Sequence, residues 1–332
     1  MRLPIISRLR WLIITMFCLV IPLGMYAQNY ISRPDTINKG RLLTLGIGGA
    51  ATYVGGMYLL YNAWYRHNAM ESFHFFDDSR EWLQVDKAGH IYSAYNDSRL
   101  AYEALRWTGM RTGKAQWLGF GTGMLIQSSI EVFDGFSSKW GFSWSDMGAN
   151  VLGSGAFLAQ EALWKEQRIQ FKVSSDFRSY PRTLFTATDD PGLHDDLQRR
   201  AQDLFGTSYA ARLLKDYNAQ TNWMCITPAA FLEQRPAWLP AWLGVAVGYS
   251  AENMYGGFNN EWSFQDGQYS LDPQAYPRYR QFLLSPDIDF TRIPTRSPWL
   301  KAIFYGLNLI KLPAPTLEFN TRGQVNWHWI YF

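Results

Sequence analysis

Residues 86–97, DKAGHIYSAYND, put Asp86, His90, Ser93 and Asp97 at successive offsets of four, three and four. On an α-helix those offsets bring side chains onto one face, so the stretch predicts a helix bearing a single polar stripe. Working outward, Gln127, Glu131 and Asp134 repeat the spacing at the end of the apolar run 115–130. Asp146, Asn150 and Ser154 repeat it along a third apolar segment, 147–160. An ionisable group facing lipid or an apolar core is costly unless partnered. The three stripes are therefore expected to face one another, and the first half of the chain is expected to fold as a helical bundle around a buried polar cluster.

Residues 42–65 contain no charged side chain. At 1.5 Å per residue such a helix reaches across a bilayer core of about 30 Å, which makes it a transmembrane candidate. Gly46, Gly48, Gly49, Gly55 and Gly56 lower its helix propensity and would suit tight packing against protein. Gly119 with Gly123, and Ala149 with Gly153, place small residues one turn apart on the later helices, a signal of close backbone approach.

Composition narrows the class. The 332 residues are 47% hydrophobic and 17% aromatic but only 18% charged, against about a quarter charged in an average soluble domain. A disordered polar chain is excluded. Of 31 basic residues facing 28 acidic ones, Arg2, Arg8 and Arg10 lie in the first 27 positions, where there is no acid. Those positions also hold an apolar run, 11–25, and a small residue, Ala27, before Gln28. Residues 1–27 are thus expected to be a secretory signal peptide, an uncleaved anchor being the alternative. The mature chain is then neutral, without the electrostatic footprint of a nucleic-acid binder. Cys18 follows Met16 and Phe17, a poor lipid-attachment site, so no lipid anchor is expected. Cys225 is left alone and cannot form an internal disulfide.

After about Lys165 the texture turns polar and proline-punctuated. Residues 195–217 read as one or two charged amphipathic helices, with Asp189, Asp190, Asp195 and Asp196 a solvated, helix-starting run rather than a calcium loop. Val245, Val247 and Tyr249 alternate with Gly244, Ala246 and Gly248, and alternation recurs within 282–290. Residues 316–320 and 324–332, joined through Thr321, Arg322 and Gly323, make the clearest hairpin. A terminal Phe after an aromatic strand is also a feature of outer-membrane barrels, but the strands are too few for a whole barrel, and a small antiparallel sheet is expected instead.

The polar cluster allows two kinds of chemistry. His90 could act as general base or metal ligand, with Asp86, Glu131, Asp134 and Asp146 as carboxylates that orient it, bind a cation or activate water. The same residues could instead form a hydrogen-bond network that locks the helices in register. Asp146 has a further structural role open to it, because Ser143-Trp144-Ser145-Asp146 has capping-box spacing. No second histidine stands at HExxH spacing, and His67, His74, His194 and His328 have no ligand partner at defensible spacing. There is no serine nucleophile elbow or phosphate-binding glycine loop. No metal and no cofactor are expected.

Three motifs carry a resemblance. Asp86-Lys87-Ala88-Gly89-His90, Ile130-Glu131-Val132-Phe133-Asp134-Gly135, and Gly141-Phe142-Ser143-Trp144-Ser145-Asp146 leading to Asn150-Val151-Leu152-Gly153 resemble the YfiM-like family of predicted periplasmic lipoproteins, a domain of unknown function. Their order is also similar to that of the VanZ-like membrane proteins. The resemblance spans residues 77–160 and implies an envelope location and a compact helical unit whose motif residues here are Asp86, Lys87, His90, Glu131, Asp134, Asp146 and Asn150. It implies no reaction. The extension after Lys165 looks like that of Bacteroidetes-type envelope versions.

The expected architecture is α+β: signal peptide 1–27, Gly-rich membrane-associated bundle 28–164, and a mixed region 165–332 ending in a β-hairpin. The expected role is that of an exported cell-envelope protein, structural or lipid-interacting, with membrane lipid and envelope proteins as partners and the outer membrane favoured over the inner. The alternative is a membrane-face enzyme acting on a lipid or cell-wall precursor, with His90 as acid/base and Asp86 or Glu131 beside it.

Overall fold

Asn38 opens the first helix by accepting a hydrogen bond from the backbone N–H of Arg41, as a good N-cap does. The helix, α1 (Lys39–Leu60), continues through a π-helical turn, Tyr61–Tyr65. The computed structural model describes residues 32–66, 69–176 and 178–332. The expected signal peptide, Cys18, Gln28 and His67 lie outside them. Among the described residues α1 alone is long and apolar enough to cross a membrane. Its apolar side chains, including Leu43, Ile47, Val54 and Leu59, are exposed. Its five central glycines have open space where a Cβ would stand, which corrects the expectation that they serve tight packing.

Three helices form the bundle: α2 (Val85–Trp107), α3 (Thr112–Gly135) and α4 (Trp144–Leu163). Short connections turn each helix back on the one before, so the start of α2, the end of α3 and the start of α4 share one end of the bundle. The expected close approach is present between these three. A Cβ on Gly123 would lie 2.8 Å from the Ala94 carbonyl oxygen, and one on Gly153 only 2.3 Å from that of Ile91. Before α2, Trp82, Leu83 and Gln84 adopt left-handed φ values of 48°, 49° and 66°, each unfavourable by roughly 1 kcal/mol. Trp82 N–H donates to Gly257 O at 2.8 Å, Gln84 Nε2 donates to Ser79 O at 2.9 Å, and the Tyr249 hydroxyl donates to Leu83 O. These bonds hold the turn that aims Asp86 and Lys87.

The second half builds a six-stranded antiparallel sheet from β1 (Ile169–Ser175), β4 (Gln220–Ile226), β5 (Leu243–Glu252), β8 (Tyr279–Ile288), β9 (Ala314–Asn320) and β10 (Val325–Tyr331), in that order. It is larger than the small sheet expected, and the expected terminal hairpin is β9–β10. Two ribbons, β2–β3 (Leu184–Thr186, His194–Asp196) and β6–β7 (Glu261–Phe264, Gly267–Ser270), flank it. Two short helices, α5 (Leu197–Phe205) and α6 (Tyr209–Lys215), follow β3, and α7 (Pro298–Leu307) precedes β9. The acidic run is not uniformly solvated. Asp195 is buried against Arg199 and the Trp262 indole N–H, and Asp196 caps α5.

The sheet curls, so that Tyr331 on its last strand reaches Trp223 on β4, ring centroids 6.2 Å apart. Its enclosed face combines a small apolar cluster, Trp223, Cys225, Ala246 and Leu283, with buried charged groups. Lys172 is 1% exposed and pairs with Asp287 at 2.8 Å, and Glu318, 2% exposed, bonds His328 at 2.7 Å. That last pair gives His328 the carboxylate partner its sequence spacing did not show. The opposite face is apolar and largely open, with Val247 at 43%, Leu284 at 46% and Trp329 at 78% exposure. Near its upper end α2 covers this face, Asn96 Nδ2 donating to Phe171 O at 3.1 Å and Asn222 Nδ2 to Val85 O at 3.5 Å.

Candidate functional site

The shared end of the bundle brings together Asp86, Lys87 and His90 from α2, Glu131 from α3, and Asp146 and Asn150 from α4. All are buried or nearly so. Lys87 is the centre of charge. Its Nζ lies 2.8 Å from Asp78 Oδ2, 3.0 Å from Asp86 Oδ2 and 2.6 Å from Asp146 Oδ1. The Asp146 contact is an ion pair without a hydrogen-bonding angle, so that Oδ1 has no hydrogen-bond partner.

Asp78 comes from the loop before α2, which strand-like bonds tie to the head of α4: Phe76 N–H donates to Phe142 O at 3.0 Å and Phe142 N–H to His74 O at 2.9 Å. There Asp78 accepts from the Ser143 and Ser145 hydroxyls at 2.5 and 2.6 Å. Burial would push its carboxyl up, but hydrogen bonds with Asp146, Lys87, Ser143 and Ser145 outweigh that and hold it at about 2. Ser143 also caps α4, its Oγ accepting from Asp146 N–H at 3.0 Å. The second half of a capping box is missing, because Ser143 N–H donates to Glu131 Oε2 at 3.3 Å and the Asp146 carboxylate turns to Lys87.

His90 Nδ1 is 3.0 Å from Asn150 Oδ1, so Nδ1 carries a proton and donates to that acceptor. Its other nitrogen, Nε2, faces Asp86 Oδ1 at 3.8 Å, Glu131 Oε1 at 3.7 Å and Asp146 Oδ1 at 3.8 Å, all too long for hydrogen bonds. Asp86 Oδ1 also accepts from the Tyr217 hydroxyl at 2.9 Å. Glu131, 1% exposed, leaves Oε1 without a hydrogen-bond partner. The residual exposure of the cluster falls on His90, Asp86, Lys87 and Asp78, whose side chains are 10–15% exposed.

Asp134, one turn past Glu131, turns away and accepts from the Tyr65 hydroxyl at 2.7 Å. Farther along the seam, Gln127 Nε2 donates to Asp97 Oδ2 at 2.7 Å and the Ser98 and Ser154 hydroxyls meet at 3.0 Å. Asp78, Ser145, Tyr217 and Glu81 were not expected here. Asp78 is the acid of a loop pair with Asp77 and has no helical spacing to reveal it, and Tyr217 reaches Asp86 across 131 positions.

Glu81, beside the cluster, faces Asp86, Asp78, Lys87, Lys139 and Arg278. Burial, with the charges of Asp86 and Asp78, pushes it up to about 7. A carboxyl raised in the folded state binds its proton there more tightly than in the unfolded chain. Its contribution is therefore complete at acid pH and declines as pH rises from about 4.5 to about 7, by roughly 3 kcal/mol at most. Glu81→Gln should flatten that part of the stability–pH curve, read from denaturant midpoints; an unchanged slope would contradict the assignment.

The sequence of residues 74–160, which includes every expected site residue, matches the family model of a predicted periplasmic lipoprotein, DUF2279. An exported, envelope-associated location follows from that match, with no activity established. No curated protein and no solved structure matches the chain.

Proposed function

We propose that this is a membrane-embedded envelope protein whose role is structural or lipid-interacting, with its apolar shell in lipid and the His90 cluster at one end of the bundle. What carries the reading is a reversal of polarity common to both halves. Buried positions in the helices include Gln116, Gln127, Glu131, Asn150, Ser154 and Gln160, while Trp117, Leu125, Leu152 and Leu163 face outward. The sheet repeats the arrangement in part, with Lys172, Gln281, Asp287 and Glu318 buried within and Val247, Leu284 and Trp329 exposed without, as membrane barrels place polar side chains inside and apolar ones outside. Strands β5 and β8 have 10 residues each, the length of a tilted membrane-crossing strand. A surface patch of this extent in water would drive association. The outer membrane suits the sheet better than the inner one, and the YfiM-like and VanZ-like likenesses agree with an envelope role.

Fractionation tests this. The protein should stay in the pellet through alkaline carbonate extraction and sediment with outer-membrane markers, and lipids brominated in their chains should quench the exposed Trp327 and Trp329. Recovery in the soluble periplasmic fraction would overturn the proposal.

A second reading, an enzyme acting on a lipid or cell-wall precursor, draws on the convergence of His90, Asp86 and Glu131, the first two at the partly exposed edge of the cluster and Glu131 buried behind them. His90→Gln decides between them: a folded protein that has lost its cellular phenotype favours the enzyme, and a folded protein with the phenotype intact favours the scaffold.

A further inference from the structure

We infer that Asp86, His90 and Asp146, with Glu131 completing the set, form a binding site for one divalent cation of the zinc–manganese class. The ligand atoms of Asp86, His90 and Asp146 lie within 4.8 Å of one another. Three carboxylate oxygens stand 3.7–3.8 Å from His90 Nε2. A nitrogen and an oxygen donor bound to a single zinc-like ion are separated by about 3.3–3.5 Å at tetrahedral angles, so a small movement seats an ion between them.

Hydrogen bonds leave Nε2 unmatched, because the oxygens that face it stand 3.7–3.8 Å away. With His90 neutral, the Nε2 lone pair confronts three carboxylate oxygens; with His90 charged, its Nε2–H has no acceptor within hydrogen-bond reach. Glu131 provides an independent pointer. It is 1% exposed, and its Oε1 lacks a hydrogen-bond partner while facing Nε2. A buried carboxylate oxygen left unmatched is costly, and a cation would supply what it lacks. The imidazole is also oriented as metal-binding histidines are, its remote Nδ1–H donating to Asn150 Oδ1.

Lys87 does not fill the site. It contacts Asp86 through Oδ2, the oxygen turned away from His90, keeps Asp78 as a partner of its own, and shares only Asp146 Oδ1 with the site; a carboxylate oxygen has two lone pairs, one for the ammonium and one for a metal. One imidazole with three carboxylates favours zinc, manganese or ferrous iron over magnesium or calcium, whose sites are built from oxygen alone.

The test uses the full chain in detergent, stripped with chelator, given a small excess of Zn²⁺ or Mn²⁺ over chain and desalted. About one ion per chain should remain. Glu131→Gln should weaken retention by about tenfold or more, whereas Asp134→Asn, whose carboxyl is turned to Tyr65, should change it less than about twofold. Co²⁺ should give the visible bands of a low-symmetry site, lost in His90→Gln. Substoichiometric retention by the wild-type chain overturns the proposal, as does equal retention by the Glu131 and Asp134 variants, which would indicate adventitious surface ions. If His90→Gln unfolds by circular dichroism, Glu131→Gln and the wild-type cobalt spectrum decide.

Discussion

Gly153→Ala is expected to destabilise the bundle by about 3 kcal/mol, and Gly155→Ala, two residues along the same helix, by nothing or to stabilise it slightly. The contrast comes from the backbone. An added methyl at Gly153 would stand 2.3 Å from the Ile91 carbonyl oxygen and 3.0 Å from two further backbone atoms of that residue, while at Gly155 there is open space within 4 Å. A side chain can rotate away from an intruding carbon; a carbonyl in the middle of α2 cannot without moving the helix. Forced overpacking typically costs about 1–3 kcal/mol and occasionally more, and a rigid neighbour puts Gly153 at the upper end. Gly155 gains the ordinary helix advantage of alanine, up to about 1 kcal/mol. Because Ile91 adjoins His90, and Asn150 lies one turn before Gly153, parting the helices here also separates His90 from Asn150. The clash should therefore lower cation retention as well as stability. Denaturant unfolding measures the first effect, and equal midpoints for the two alanine variants would show that α2 and α4 do not meet through Gly153.

The bundle was legible because its polar residues violate the pattern around them. Asp86, His90, Glu131, Asp146 and Asn150 are spaced by a helix period inside segments otherwise poor in charge, and such residues have few places to go except toward one another. What helical spacing cannot reveal is a partner with another address. Asp78 arrives from a loop held by Phe76 and Phe142, and Tyr217 from the turn just before β4, so neither shares a period with the stripes. The sheet shows a different limit. Alternation in β5 identifies a strand and two faces, but not which face is enclosed; Gly244, Ala246 and Gly248 prove to be the inner set, leaving room for Trp223, whose ring would be 2.7 Å from a Cβ on Gly248. His328 finds Glu318 only once the register pairs Asn326 with Glu318 and brings the histidine alongside. The glycines of α1 mark the limit of small-residue spacing. It permits close approach without supplying a neighbour, and among the described residues nothing occupies the space beside them.

Lys87→Met should destabilise the protein by about 3–5 kcal/mol near neutral pH, the loss expected when one partner of a buried ion pair is removed and the other is left. Methionine matches the aliphatic stem, so packing is largely kept and the change falls on charge. Three carboxylates, Asp78, Asp86 and Asp146, lose a cation within 3.0 Å. The pH dependence has a definite sign. In the wild type the Asp78 carboxyl is held at about 2, below its ordinary value, so its stabilising contribution is present above about pH 4 and lost as pH falls toward 2. Without Lys87 one of the interactions holding it down is gone, and protonation of the carboxylates relieves their repulsion instead. The difference between variant and wild type should thus be greatest at neutral pH and shrink below about pH 4. Asp78→Asn added to Lys87→Met should recover part of the loss, since it removes a charge that Lys87 no longer balances. Strict additivity of the two substitutions, or a Lys87→Met penalty unchanged from neutral to acid pH, would mean that the ion pairs around Lys87 contribute nothing measurable.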